Sequence, residues 1–427
     1  MPAARIAPSS GTRLAGIDGL RAIAACSIVV YHSWLLASPA GPPSLSALGR
    51  TVFPHLPVGV TLFFALSGFL LYRPFAAALI RAEVRPSLSA FLRNRALRIL
   101  PAYWVILFVS ALILGTVYVR DSPFDLATGS LLHRPATLAA TALLVQNYNP
   151  DTYFTGIGPA WSLAIELVFY VTLPLLALFA WAAARHTVTR SGRRVAALIP
   201  AAILLLVGLS GKAAASHLVP PKVGSDWVGW VGDWNSVLER SFWAQADLFA
   251  FGLVVAVLRV EWEDGKIRSP SWFSAVALTG GGFIAVGTAI LLSQSLIGFH
   301  KYATLMAVAC GLLLASVVLP GGDLLRKSML LRFLEFRPIV FVGLVSYSLF
   351  LWHEPLIRWM RDRGLTLDGP FGFAANLILV GAIAGLLSVL TYRFVELPAL
   401  RRKSRRPAAE AANIHGEGEV EQASSAP

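Results

Sequence analysis

The feature that most constrains this chain is a recurrence of apolar stretches about 20 residues long, each able to cross a hydrocarbon core of roughly 30 Å as a helix. They fall near 14–37, 58–80, 99–119, 159–183, 195–210, 241–259, 272–293, 302–320, 339–359 and 371–394. In lipid, every backbone N–H and C=O must find its partner within the protein, which leaves helices or a closed barrel. A barrel would show alternating segments of about ten residues instead. The expected fold class is therefore an all-α polytopic membrane protein with about ten transmembrane helices. The membrane domain is expected over 1–400, and a cytoplasmic tail over 401–427 opens with RRKSRR and then turns polar, the composition of a disordered segment. The first span is too long and too charged for a cleavable signal peptide, and no soluble catalytic domain is expected at either end.

Charge sharpens this reading. The formal net charge is +13, yet only 14% of residues are charged, against about a quarter in soluble domains. With the N-terminus in the cytoplasm, about 23 Lys/Arg fall in cytoplasmic segments and about 10 in outer loops, which is the positive-inside bias. The basic excess is thus topological, and nucleic acid is not an expected partner. Cys26 and Cys310 both lie within spans, so no disulfide is expected, and no cluster has metal-ligand spacing. The Trp- and Asp-rich run SDWVGWVGDWN, in a long outer loop, reads as interfacial anchoring or as a cover for the outer face.

Against this apolar background the ionisable residues are conspicuous, because a charged side chain at mid-bilayer costs about 2.5–3.5 kcal/mol on insertion scales. The first span contains Asp18, Arg21 and His32. Eleven helical steps return to within about 20° of the starting azimuth, so Arg21 and His32 share a face about 16 Å apart. In the fourth span Ser162, Glu166 and Tyr170 recur every four residues and form one stripe. The ninth span carries His353 and Glu354. His32, Glu166 and His353 come to similar depth in the outer half of the membrane, which points to a shared polar cavity. The duller readings are a packing histidine with one interhelical hydrogen bond and a glutamate that partners an Arg or Trp.

The cytoplasmic side differs. FLRNRALRILPAYW, 91–104, places Arg93, Arg95 and Arg98 just before the third span, with Tyr103 and Trp104 able to stack on a flat ring. Arg73 stands near the inner end of the second span. Planar guanidinium forks suit phosphate, although ordinary positive-inside topology also accounts for arginines here, most simply for Arg81 and Arg85. The implied site has a basic inner mouth for a phosphorylated carrier and a His/Glu cluster further out for acid–base chemistry. A secondary transporter or flippase would also use intramembrane His, Glu and Arg, but has no need of the cytoplasmic arginine–aromatic cluster.

Taken in order, DGLRAIA with Arg21 and His32, FFALSGFLL at 63–71, Arg95-x-x-Arg98 with Pro101 and Tyr103, WSLAIELVFY at 161–170, YSLFLWHEPL at 347–356 and YRFVELP at 392–398 resemble the membrane acyltransferase-3 family. That family includes bacterial O-antigen and polysaccharide O-acetyltransferases and macrolide-acylating enzymes. The resemblance implies a ten-helix core in the bacterial inner membrane with both termini cytoplasmic. It further implies an O-acetyltransferase that moves an acyl group, usually acetyl, from cytoplasmic acetyl-CoA or another acyl-CoA to a hydroxyl of a glycan, glycolipid or macrolide-type acceptor. It assigns catalytic importance to Arg21 and His32, and the CoA end to Arg95 and Arg98. Many members carry paired arginines where this chain has Asn94-Arg95, so Arg93 is the arginine displaced by one position. The mechanism expected on this basis makes His32 the general base, oriented by Glu166. Arg95 and Arg98, with Arg93, Arg73 and Tyr103, would hold the donor, while Asp18, Ser162, Tyr170 and His353 complete the cavity.

Overall fold

A computed structural model of the chain describes residues 14–38, 40–43, 49, 52–119, 128–131, 133–218, 232–267, 276–278, 280–284, 287, 299–319 and 329–404. Its first half comprises α1 (Ile17–Leu36), α2 (Val58–Arg81), α3 (Leu88–Phe108), α4 (Pro135–Ala142), α5 (Trp161–Ala184) and α6 (Arg190–His217). Its second half comprises α7 (Trp234–Glu239), α8 (Phe242–Gln245), α9 (Asp247–Glu263), α10 (Phe299–Val318), α11 (Met329–Leu334), α12 (Arg337–Asp362), α13 (Gly369–Thr391) and α14 (Leu397–Ser404). A small antiparallel pair, Val117–Tyr118 with Thr128–Gly129, is the extended structure among the described residues.

Among the described residues, seven helices are long and apolar enough to cross a membrane. They coincide with the expected spans at 14–37, 58–80, 99–119, 159–183, 195–210, 339–359 and 371–394. The span expected at 241–259 is the shorter α9, and that at 302–320 is α10. The span expected at 272–293 lies mostly outside the described residues, as do most of the Trp-rich outer loop and the tail beyond 404; the described positions inside that span are helical.

Two boundaries differ from expectation, each for a local reason. The third helix begins at Leu88, where the Ser87 side chain caps it by accepting from the Ala90 N–H, so Arg93, Arg95 and Arg98 ride on the helix instead of preceding it. The helix expected to stop near 210 continues to His217. It carries the buried Lys212, which forms an ion pair with Asp247 of α9, itself bonded by the Thr304 hydroxyl at 2.6 Å. An apolar window cannot anticipate a lysine neutralised in this way.

Small residues set the packing. α2 lies most closely on α9, where Gly68 meets the Phe249 backbone and Gly252 meets that of Ala65. A side chain at either position would force the helices apart. α1 packs against α12, with Gly343 against the Asp18 backbone. Leu175, Phe179, Leu206, Ile378 and Leu386 stay exposed on the outside of the bundle, as a lipid-facing surface requires.

The bundle has two unlike ends. At the basic end, where residues 81–87 join α2 to α3, Arg73 and Arg259 grip Glu263 at 2.6 and 2.8 Å. There Arg81 pairs with Asp264 at 2.8 Å, and Arg190 with Glu261 at 3.0 Å and with Asp264. At the opposite end Asp368 accepts from the Ser38 hydroxyl at 2.5 Å and the Ala40 N–H at 3.1 Å, tying the end of α1 to the start of α13.

Candidate functional site

Two cavities open between α1, α2, α5 and α12. The first, of about 120 Å³, is lined by Arg21, Ser67, Arg95, Arg98, Ser162, Glu166, Tyr170 and Tyr347 among others; it is the arginine cavity. The second, of about 250 Å³, is lined by Tyr31, His32, Thr61, Trp161, Arg240 and Gln245 among others; it is the histidine cavity. They share Val60, Phe64 and Phe350 as wall. Arg21 and His32, on one face of α1, thus open onto different chambers that meet at three apolar side chains.

In the histidine cavity the two imidazoles meet edge to edge, with centroids 5.0 Å apart and planes 20° from parallel. Nδ1 of His32 lies 2.8 Å from Nε2 of His353, and Nδ1 of His353 lies 3.1 Å from the Leu349 carbonyl oxygen. That oxygen only accepts, so Nδ1 of His353 carries its proton and Nε2 is its lone pair. His32 must then donate from Nδ1, which leaves Nε2 of a neutral His32 as a free lone pair. A backbone carbonyl therefore fixes the tautomer of both rings. On the next turn Arg358 binds Glu354 at 2.6 Å and stacks 3.7 Å over the Tyr118 ring. Across the cavity, Arg240 lies 4.6 Å over Trp161.

In the arginine cavity the Ser67 hydroxyl donates to Glu166 Oε1 at 2.5 Å. Arg98 binds Glu396 at 3.0 Å, and Glu396 also accepts from Ser348 at 2.6 Å. Glu396 sits in a π-helical turn, Tyr392–Glu396, a local distortion that often marks functional sites. Arg98 also lies 5.9 Å over Tyr347. Arg21 faces the charges of Asp18, Glu166, Glu396 and Arg98. Neither Arg21 nor Arg95 forms an ion pair among the described residues.

The residues anticipated from sequence divide as follows. Arg21, Arg95, Arg98, Ser162, Glu166 and Tyr170 line one cavity; His32 lines the other and is bonded to His353. Glu166 does not orient His32: it is turned to Ser67, and the ring's partner is His353. Arg73 is committed to Glu263 and stands outside both cavities. Tyr103 is fully buried with its hydroxyl on the Thr141 carbonyl at 2.6 Å, and Trp104 is exposed with its indole N–H on the Ala142 carbonyl. Neither ring offers a face to a ligand in the arginine cavity. Arg93 lines neither cavity, and Asp18 lies in the first turn of α1. Sequence reasoning did not single out Tyr347, Arg240 or Gln245, and gave Ser67 and Glu396 no site role. The signal for Glu396 was present, since a lone carboxylate at the end of an apolar span needs a buried cation.

Comparison with known proteins adds the following. The family described as Acyltransferase domain matches residues 14–393. O-acetyltransferase OatA of Staphylococcus aureus is 24% identical over 406 residues, 91% of this chain and 57% of that protein. Nodulation protein 10 of Rhizobium leguminosarum bv. viciae is 25% identical over 422 residues, 93% of this chain and 95% of that protein. Putative peptidoglycan O-acetyltransferase YrhL of Bacillus subtilis is 24% identical over 402 residues, 90% of this chain and 54% of that protein. The chain thus spans little more than half the length of the first and third of these relatives. No solved structure matches it.

Proposed function

The chain belongs to the acyltransferase-domain family, and from that premise we propose that it is a membrane O-acyltransferase with a donor chamber and an acceptor chamber. The donor is an acyl-CoA, acetyl-CoA in the simplest case, bound in the arginine cavity from the basic end, which faces the cytoplasm. The acceptor is a hydroxyl of a cell-surface glycan, glycolipid or glycosylated metabolite, reached through the histidine cavity. The observation that carries this is the meeting of the two cavities at Val60, Phe64 and Phe350, with Arg21 on one side and His32 on the other. The O-acetyltransferase names of two relatives support a hydroxyl acceptor, and the positive-inside bias supports the orientation.

In this reading Arg95 and Arg98 bind the donor's phosphates through charge-assisted hydrogen bonds. The pantetheine arm runs past Arg21 toward the shared wall. The acceptor hydroxyl attacks the thioester carbonyl while Nε2 of His32 takes its proton. His353 holds the ring in the tautomer this needs, the role a carboxylate plays in a catalytic triad. Arg21 stabilises charge on the carbonyl oxygen. The tetrahedral intermediate collapses, the C–S bond breaks, and the thiolate leaves as CoA, recovering the proton from His32. The products are the ester and free CoA.

The test is CoA binding and CoA release by purified protein in detergent with acetyl-CoA, wild type against His32→Ala. The variant is expected to bind CoA as wild type does and to lose at least about a thousandfold in release, within the range of a general base. Equal release by the two would remove His32 from the chemistry; absence of release from wild type with any acyl acceptor would favour a carrier.

A further inference from the structure

A groove of about 250 Å³ opens at the basic end between the last turns of α2 and the first turns of α3, bounded by Pro74, Phe75, Pro86, Phe91, Asn94 and Arg95. It is continuous with the arginine cavity, because Arg95 lines both. We propose that this groove is a purine subsite that holds the base of the donor's nucleotide. The proposal rests on acyl-CoA being the donor.

Three observations carry it. First, the groove offers an aromatic surface fixed in place. Phe75 is buried and meets Phe91 edge-on at 5.3 Å and Trp181 edge-on at 6.2 Å. Phe91 is half-buried, so its ring is both held and accessible. Every base has a π-face that stacks on such a ring. Second, Asn94 Oδ1 is shielded from solvent and has no hydrogen-bond partner among the described residues, and the same is true of Arg95 Nε. A buried acceptor left without a donor is destabilising, so its presence calls for a ligand donor. A side-chain amide matches the N6 amine and N7 of adenine as donor–acceptor pair; a lipid chain would leave it unsatisfied. Third, the order of parts is right. With a phosphate on Arg95, the base falls into the groove on one side and the pantetheine arm into the arginine cavity on the other. The ring that Tyr103 and Trp104 were expected to stack upon thus finds Phe91 and Phe75 instead.

The experiment compares two ligands, CoA and 4′-phosphopantetheine, which keeps the arm and a phosphate but lacks the nucleotide. Dissociation constants are measured on the purified full chain and on Asn94→Ala and Phe91→Leu. Each substitution is expected to weaken CoA about tenfold and to leave 4′-phosphopantetheine unchanged. If both ligands weaken alike in both variants, the groove only shapes Arg95 and the proposal is overturned. If neither weakens, the groove takes something else, such as a lipid chain, and the proposal is again overturned. Wild type that binds neither ligand would instead sink the acyl-CoA reading and this subsite with it. Should Asn94→Ala fail to fold, Phe91→Leu carries the test.

Discussion

The arginines of the basic end and those of the arginine cavity look alike in sequence and are placed quite differently. Arg73, Arg81, Arg190 and Arg259 each touch a carboxylate of Glu261, Glu263 or Asp264, and they knit α2, α6 and α9 together. Arg21 and Arg95 make no ion pair among the described residues and line a cavity, while Arg98 is shared between Glu396 and the Tyr347 ring. Arg73 spends its charge on Glu263 and lines neither cavity, so it is not presented to a ligand there. A guanidinium held near carboxylates but out of their reach keeps its donors for a ligand. Positive-inside arithmetic counts both kinds as one.

This contrast can be broken by substitution. Arg95→Ala is expected to weaken CoA binding about tenfold to a hundredfold, the weight of one charge-assisted contact, with the thermal unfolding midpoint little changed. Titration calorimetry and a melting curve on one preparation check both halves. Arg73→Ala is expected to do the reverse, leaving CoA affinity intact and lowering stability by less than about 1 kcal/mol, because its ion pair is about a third exposed and screened. If Arg73→Ala weakened CoA as much as Arg95→Ala, the division into structural and ligand-facing arginines would fail.

The smallest effect belongs to the opposite end, where an exposed carboxylate has hydrogen bonds but no ion pair among the described residues. The Ser38 hydroxyl and the Ala40 N–H hold the Asp368 carboxyl below the usual carboxylate range. Its contribution to stability is therefore present above the unfolded value of about 4 and is lost as pH falls through the lower folded value. A small drop in melting temperature as pH is lowered below about 4 is expected in wild type and absent in Asp368→Asn.

Much of this was legible beforehand because helical geometry in a membrane is regular. Hydropathy located the spans, and the eleven-residue step from Arg21 to His32 placed both on one face. The Ser162–Glu166–Tyr170 stripe does line one cavity. The partners were not legible, because partner choice is tertiary. Depth alone put His32, Glu166 and His353 together; the helices' rotations join the two histidines and turn Glu166 to Ser67. Tyr103 was a different kind of miss. Five residues beyond Arg98 it sits about 140° around the helix, so its place in the core could have been read from the wheel. The role of Arg73 could not, since Glu263 is far away in sequence and meets it only through the α2–α9 contact.

If the two cavities are halves of one site joined at Val60, Phe64 and Phe350, filling that wall stops transfer and spares donor binding. The deciding variant is Val60→Trp, which fills the shared wall, with CoA affinity and CoA release measured together. Affinity is expected within about twofold of wild type, with the donor chamber intact, and release lowered by at least about a hundredfold. Unchanged release would mean that the acyl group does not cross there, and would contradict the joined site.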